Sequence, residues 1–147
     1  MEKMQVVKRR GKVEELDLNK VHNMVEEACE GLTGVSASQV EIQSNLQFHD
    51  NIKTEDIQEI LIRSASDLID LEHPNYQFVA ARLLSVQLRK KLWGRSRKPS
   101  HIKDHLFKGA EKGIYDPNLW GSYTDVEWDR INNYIDYDRD NQFTYAG

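Results

Sequence analysis

A basic cluster near the start of the chain holds the side chains best suited to binding an anion. The cluster comprises Lys8, Arg9, Arg10 and Lys12, and the carboxylates Glu14, Glu15 and Asp17 follow it. Cations gathered at one turn can hold a polyphosphate, and an arginine can do so through two parallel hydrogen bonds. Carboxylates beside them suit ribose hydroxyls or a bound Mg²⁺. The other interpretation, a charged hairpin that keeps a sheet edge soluble, stays open on composition alone.

Two further positions could meet a phosphate. Lys90 follows Val86 by four residues and Leu83 by seven, so helical spacing places it on the face that carries core residues. A lysine there either extends its ammonium group to water or binds an anion, and the last helical turn also favours a cation through the helix dipole. Thr54 precedes an apolar stripe and suits a helix N-cap, although first-turn amides could equally receive a phosphate.

Composition excludes several classes of function. The chain has 147 residues and a net charge of −4, which argues against a sequence-blind nucleic-acid binder. Its single cysteine, Cys29, rules out an internal disulfide and a cysteine-based metal site, and the histidines lack metal-ligand spacing. No glycine-rich phosphate loop, signal peptide or bilayer-length apolar run is present in the sequence. We therefore expect a cytoplasmic protein without nucleic-acid or membrane partners, and we interpret the basic run 89–98 as a solvated linker.

The spacing of apolar residues predicts a hairpin followed by four helices. Short extended runs at 5–7 and 13–18 surround a glycine-bearing turn. From Leu18 the period becomes helical, with Asp17 or Asn19 as the cap. The second helix has Ser36 or Ser38 as its cap and an apolar side of Val40, Leu46 and, as a further candidate, Ile42. The third helix carries an apolar stripe of Ile57, Ile60, Leu61, Ala65, Leu68 and Ile69, and the fourth carries Tyr76, Val79, Leu83 and Val86 with Pro74 in its first turn.

A basic, proline-containing break at 94–100 is the predicted domain boundary, which gives domains at 1–93 and 94–147. Beyond the break we expect a helix from about 102 to 112 and another that begins at Thr124. Thr124 and Glu127 have the spacing of a capping box. Trp128, Ile131 and Ile135 share one face of that second helix.

Together these segments resemble the ATP-cone at the N-terminus of the large subunit of class I ribonucleoside-diphosphate reductases. VVKRRGKVEELDLNKVH is similar to the family's strand, basic turn, strand and first helix. IKTEDIQEILIRSASDLI and PNYQFVAARLLSVQLRKKLWG are similar to its third and fourth helices. KGIYDPNLWGSYT and IDYDRDNQFTYAG are similar to the region after the cone in these subunits, so the resemblance covers essentially the whole chain.

The resemblance implies a mainly α fold: a four-helix bundle capped by a three-stranded sheet, followed by a short helical segment. It also implies that an adenine nucleotide, ATP or dATP with Mg²⁺, binds between sheet and helices as an allosteric effector, ATP signalling activity and dATP shut-down. Lys8 and Arg9 would hold phosphates, Thr54 and Lys90 would contact the nucleotide, and Ile57 and Gln58 would lie beside it. The lining stretch would be Glu14, Glu15, Leu16, Asp17, Leu18, Asn19 and Lys20.

Two positions depart from the family pattern. Gln58 stands where several dATP-inhibited members have histidine, so ATP binding is expected while dATP inhibition is in question. Glutamine can hydrogen-bond but cannot take up a charge. Arg10 occupies a turn position where aspartate is frequent, which adds positive charge near the phosphates.

The resemblance assigns no catalytic residue and no metal ligand to this chain. Reduction in the family needs several cysteines, and this chain has one, so it is not expected to catalyse the reaction alone. The expected partners are the remainder of the large subunit, the small radical-generating subunit and further copies of the chain. The chain would stop where the catalytic barrel begins, as an excised piece, a split-gene product or a natural truncation. Two other functions stay open: an interaction module with a degenerate nucleotide pocket, and an ATP-cone transcriptional regulator, although the paired cysteines of a zinc ribbon are missing.

Overall fold

The computed structural model describes residues 3–94 and 99–147, and this part of the chain is mainly α-helical with a small three-stranded sheet. The strands are β1 (Gln5–Val7), β2 (Val13–Glu15) and β3 (Ile52–Lys53). The helices are α1 (Leu18–Cys29), α2 (Ala37–Asn45), α3 (Thr54–Asp67), α4 (Tyr76–Trp93), α5 (Ile102–Glu111) and α6 (Asp125–Tyr134), and a 3-10 helix spans Tyr137–Gln142. The predicted fold class is confirmed.

The sheet has the order β2-β1-β3. β1 and β2 form the predicted antiparallel hairpin, with Gln5 opposite Glu15 and Val7 opposite Val13. β3 pairs in parallel with β1, and the Asp50 carboxylate extends this junction by accepting a hydrogen bond from the Gln5 amide at 2.8 Å. Two strands are marginal in water, so the third strand and the helices beneath it stabilise the hairpin.

The first two helices begin at side-chain caps. Asp17 accepts a hydrogen bond from the Asn19 amide at the start of α1, and Ser36 accepts one from the Gln39 amide at the start of α2. Both caps are among the predicted alternatives. The predicted apolar side of α2 is wrong at two of its three residues: Val40 is fully buried, whereas Ile42 is exposed and Leu46 is 84% exposed.

The core of the bundle is aliphatic. Its fully buried side chains include Val25 of α1, Val40 of α2, Ile52 of β3, Leu61 of α3 and Val79 of α4. Three residues of the predicted α3 stripe, Ile57, Leu61 and Ala65, are buried, Ile60 and Leu68 are partly buried, and Ile69 is exposed. Ile69 was wrongly predicted because α3 ends at Asp67, two residues before it. Pro74 also lies outside a helix, since α4 begins at Tyr76.

Contacts group the chain into two compact units. The first comprises Met1–Leu88 together with Asp140–Gly147, and the second comprises Arg89–Arg139. The division therefore falls within α4. The domain boundary predicted at 94–100 lies mostly outside the described residues, as do residues 95–98 of the basic run, and the domain assignment stays a prediction.

The second unit contains α5 and α6, both at their predicted positions. Thr124 and Glu127 form the predicted capping box of α6. Trp128 is 2% exposed and its indole donates a hydrogen bond to the carbonyl of Trp120 at 2.8 Å. Across residues 3–94 and 99–147, no helix is long and apolar enough to span a membrane.

Candidate functional site

The loop of the β1–β2 hairpin contains Arg9, Arg10 and Gly11. The amide of Lys8 donates to the carbonyl of Lys12, and the amide of Gly11 donates to the carbonyl of Lys8, each at 2.8 Å. Gly11 has a φ of +78°, the left-handed conformation that completes a three-residue hairpin loop and favours glycine. The local sequence therefore fixes a tight turn with two arginines in it.

Strand register brings this basic loop to the start of α3. β1 and β3 run in parallel, with Val6 beside Ile52 and Val7 beside Lys53. Lys8 and Thr54 are the next residues along these two strands, so both leave the sheet at the same edge. The first turn of α3 follows there, and its amides form the positive end of the helix dipole. The sheet thus places the hairpin cations beside a helix N-terminus.

Arg9 bridges the hairpin and α3 directly. Its Nε lies 3.1 Å from Oε1 of Glu55, in the first turn of α3. This ion pair spans 46 positions of sequence and joins two segments that sequence analysis assigned to one site. Glu55 is absent from the predicted site, because acidic residues are common in the first turn of a helix and do not indicate an arginine partner.

Glu14 is held by the two lysines that flank the loop. Lys8 Nζ lies 2.9 Å from its Oε1, and Lys12 Nζ lies 3.6 Å from its Oε2. The hydrogen bond from Lys8, together with the positive charge of both lysines, lowers the pKa of the Glu14 carboxyl below its ordinary value. Lys12, noted in the basic cluster but absent from the predicted site, therefore belongs to the same charge network.

Glu15 is separated from this network. Successive side chains of a strand point to opposite faces, and Glu15 accordingly pairs with Lys3 at 2.9 Å rather than with the loop lysines. The structure thus brings Glu14 and the basic loop together and places Glu15 with a different cation.

The start of α1 carries the other predicted lining residues. Asp17 caps the helix by accepting a hydrogen bond from the Asn19 amide at 3.0 Å, and Lys20 Nζ lies 3.7 Å from the Asp17 carboxylate. Leu16 packs against the core, whereas Leu18 is exposed. These residues follow β2 directly, and the sheet therefore positions the start of α1.

Thr54 is not the N-cap of α3, contrary to the prediction. Lys53 occupies that position and its side chain makes no capping hydrogen bond, while Thr54 is the first helical residue. Lys53 has extended backbone as the last residue of β3, which moves the cap one residue toward the N-terminus. Ile57 and Gln58, one turn further along α3, are both buried, and Gln58 is one of three buried polar residues in the described chain.

Lys90 lies in the last turn of α4, as predicted from its spacing, and is half-buried. It belongs to the second compact unit, whereas the hairpin and α3 belong to the first. The participation of Lys90 in a common site with them stays a prediction.

The described residues of the first unit gather, at the hairpin and the start of α3, cations of the type that bind phosphate. Arg9 of the loop and the flanking lysines Lys8 and Lys12 are each paired with a carboxylate, beside a helix start that has no side-chain cap. Cys29 is half-buried, and burial raises the pKa of its thiol, which disfavours the nucleophilic thiolate. Among the described residues, no group of three or more histidine, cysteine, aspartate or glutamate side chains could hold a metal ion.

Comparison with known proteins shows similarity to alpha subunits of ribonucleoside-diphosphate reductases from several bacteria. The chain is 46% identical over 141 residues to ribonucleoside-diphosphate reductase 1 subunit alpha of Escherichia coli, a match that covers 96% of this chain and 18% of that protein. It is 43% identical over 143 residues to the alpha subunit of Haemophilus influenzae, covering 97% and 19%, and 39% identical over 142 residues to that of Helicobacter pylori, covering 97% and 18%. The chain thus spans about a fifth of the length of these relatives, in their N-terminal region.

The family whose description is ATP cone domain matches residues 4–91, which contain the hairpin, the three strands and helices α1 to α3. The match includes the basic loop, the Arg9–Glu55 bridge and the start of α3. This chain belongs to the ATP-cone family.

Proposed function

We propose that this chain binds ATP or dATP through its ATP-cone and acts as the activity-regulating part of a ribonucleoside-diphosphate reductase large subunit. The observation that carries the proposal is the parallel pairing of β1 and β3, which gathers Lys8, Arg9 and Thr54 at one edge of the sheet. The ATP-cone family suggests which nucleotide binds, and the named relatives suggest which enzyme the chain regulates.

The charges of the loop suit a polyphosphate. Lys8 and Arg9 would bind phosphate oxygens in charge-assisted hydrogen bonds, and the open first turn of α3 would add amide donors and the hydroxyl of Thr54. Glu14, whose pKa is lowered, stays ionised at neutral pH and would bind a ribose hydroxyl or a Mg²⁺ ion that accompanies the phosphates.

The remaining lining would come from the start of α1 and from α3. Leu16, Asp17, Leu18, Asn19 and Lys20 follow β2, and Ile57 and Gln58 face inward one turn below Thr54. Glu15 is the weakest member of the predicted set, because Lys3 holds its carboxylate.

We further propose that nucleotide binding orders the hairpin against α3 and alters a surface used for subunit contact. The partners would be the remainder of the large subunit and the small radical-generating subunit. Gln58 would retain hydrogen bonding to the nucleotide while removing the titratable group of dATP-inhibited members.

The test is calorimetric titration of the chain with ATP, dATP and GTP in the presence of Mg²⁺, with the molecular mass followed in parallel. We expect micromolar binding of ATP and rejection of GTP. The dATP titration and the accompanying mass would show whether Gln58 permits an inhibitory assembly, and Gln58→His is the matching variant. A folded chain that binds no adenine nucleotide would contradict the proposal and favour the interaction module with a degenerate pocket.

Lys90 has its own test. If Lys90 makes a desolvated contact with a phosphate, Lys90→Ala weakens ATP binding by about 2–4 kcal/mol. Lys91→Ala is the control, since Lys91 also lies in the last turn of α4, where its charge interacts with the negative end of the helix dipole. Equal affinities of both variants and the parent would remove Lys90 from the site.

A further inference from the structure

Arg9 already has an anionic partner in the structure, and that partner comes from α3 rather than from the hairpin. Arg9 Nε and Glu55 Oε1 lie 3.1 Å apart, and both side chains are partly exposed. The carboxylate oxygen therefore stands beside Nε, at a position that a phosphate oxygen bound to the guanidinium could also occupy. The Glu55 carboxylate therefore acts as a weak ligand of Arg9 that the chain itself provides.

We infer that Glu55 competes with the effector's phosphates for Arg9 and so sets the affinity of the site; this rests on the proposed function. A polyphosphate that approaches Arg9 from the Nε side would displace the Glu55 carboxylate into solvent, whereas the other guanidinium N–H groups stay available to it. Release of the carboxylate is feasible because exposed ion pairs contribute little to stability and because water solvates the freed group.

Position on the helix reinforces this competition. Glu55 lies in the first turn of α3, where its charge is stabilised by the positive end of the helix dipole. A phosphate that approaches the same amides meets the same favourable field and is repelled by the Glu55 charge. Occupation of Arg9 and repulsion at the helix start therefore weaken phosphate binding in the same direction.

Glu14 does not have this role, although it also neutralises loop cations. It lies on β2 of the same hairpin, and its carboxylate is shared between Lys8 and Lys12. It therefore moves with the loop and leaves the lysines able to use their remaining ammonium hydrogens. Glu55 is carried by a different element, so its pair with Arg9 must break or adjust when the loop moves relative to α3.

Asp56 supplies a matched control. It is the next residue, lies in the same helical turn, is exposed and carries the same charge. Within residues 3–94 and 99–147 its carboxylate makes no ion pair or side-chain hydrogen bond. Neutralising Asp56 removes a negative charge from the helix start without releasing Arg9.

The experiment compares ATP binding to the parent chain, Glu55→Gln and Asp56→Asn by calorimetry with Mg²⁺, after circular dichroism has shown that each variant is folded. We expect Glu55→Gln to lower the Kd of ATP by about two- to fivefold, the range accessible to an exposed ion pair. Asp56→Asn should lower it by less. In an Arg9→Gln background, adding Glu55→Gln should lower the Kd by no more than Asp56→Asn does in the parent, because only the repulsion at the helix start then remains.

Three outcomes overturn the inference while leaving the proposed function intact. Unchanged affinity of Glu55→Gln shows that the ion pair does not compete. Weaker binding shows that Glu55 positions Arg9 for the nucleotide. Equal gains in Glu55→Gln and Asp56→Asn show a general charge effect at the helix start. Absence of ATP binding in the parent chain itself contradicts the proposed function, and the inference with it.

Discussion

Different kinds of contact stabilise the interiors of the two compact units. In the first unit, buried and mostly aliphatic side chains from four helices and two strands form one cluster, with Val25, Leu61 and Val79 fully buried. In the second unit, among the described residues 89–94 and 99–139, Trp128 and Gly109 are the buried ones. The contacts there are individual aromatic and polar pairs.

Those pairs are directional. Ring pairs join Phe107 with Trp120 and Tyr123 with Trp128, in each case with centroids 5.3 Å apart. Between α5 and α6, the Ile102 amide donates to Asn132 at 3.0 Å, and Lys103 pairs with Asp125. An aliphatic core depends on volume, whereas such contacts depend on geometry and charge. The units should therefore respond to different substitutions.

The largest expected effect is loss of core volume in the first unit. Leu61→Ala removes a fully buried side chain and should lower the free energy of unfolding by about 2–5 kcal/mol. Leu46→Ala is the control, because its side chain is 84% exposed and its loss should change stability by less than about 0.5 kcal/mol. Urea titration of both variants measures the difference, and similar losses would contradict the assignment of the core.

The second unit should be sensitive to an added methyl group at Gly109. A Cβ at this position would overlap the ring of Tyr115, so Gly109→Ala must displace that ring at a cost of about 1–3 kcal/mol. Gly121→Ala is matched to it, since its Cβ would meet its nearest neighbour, the Asn118 carbonyl, at an ordinary 3.9 Å. Hydrogen exchange of the α5 amides reports the effect, and equal protection in the two variants would contradict it.

Helix caps give a smaller difference between the units. Thr124 caps α6 with a complete capping box, and Thr124→Ala should cost about 1 kcal/mol. Thr54 is a first-turn residue rather than a cap, so Thr54→Ala should change the free energy of unfolding by less than about 0.5 kcal/mol. Thermal or urea unfolding compares them. An equal decrease in the free energy of unfolding for Thr54→Ala and Thr124→Ala would show that Thr54 acts as a helix cap.

The smallest effect concerns pH. The hydrogen bond from His22 to Glu41, 2.7 Å between Nδ1 and Oε1, and the nearby Glu26 raise the pKa of the imidazole above its ordinary value of 6.5. A raised folded-state pKa gives stabilisation that is full below pH 6.5 and lost as pH rises through the folded-state value. The parent should therefore lose stability over that interval relative to His22→Gln, in unfolding measured at several pH values.

The capping box of the second unit should respond in the opposite direction. Hydrogen bonds from the backbone and side chain of Thr124 lower the pKa of Glu127 below its ordinary value of 4.5. Its stabilisation is present above pH 4.5 and is lost as pH falls through the folded-state pKa. Glu127→Gln should flatten this acid-side loss, and an unchanged acid profile would show that the box contributes nothing.

Sequence alone determined the helices and most of the hairpin. Helical periodicity and local caps such as Asp17, Ser36 and Thr124 depend on residues a few positions apart, and such signals are local. The RRG turn is equally local, since a three-residue loop needs a left-handed residue and Gly11 supplies it. The ATP-cone family was also identifiable from the order and separation of these segments.

Only the tertiary structure decided which side chains meet. Leu46 fits an apolar stripe by spacing, yet it follows the last residue of α2 and is exposed. Ser44 is buried instead, and its hydroxyl donates a hydrogen bond to the Val40 carbonyl at 2.6 Å. Parallel pairing of β1 with β3 brought Arg9 to Glu55, and strand alternation separated Glu15 from Glu14. These outcomes depend on register and packing between distant segments. Residue types therefore identified the loop as a phosphate-binding candidate, while the fold determined the carboxylates that neutralise its cations.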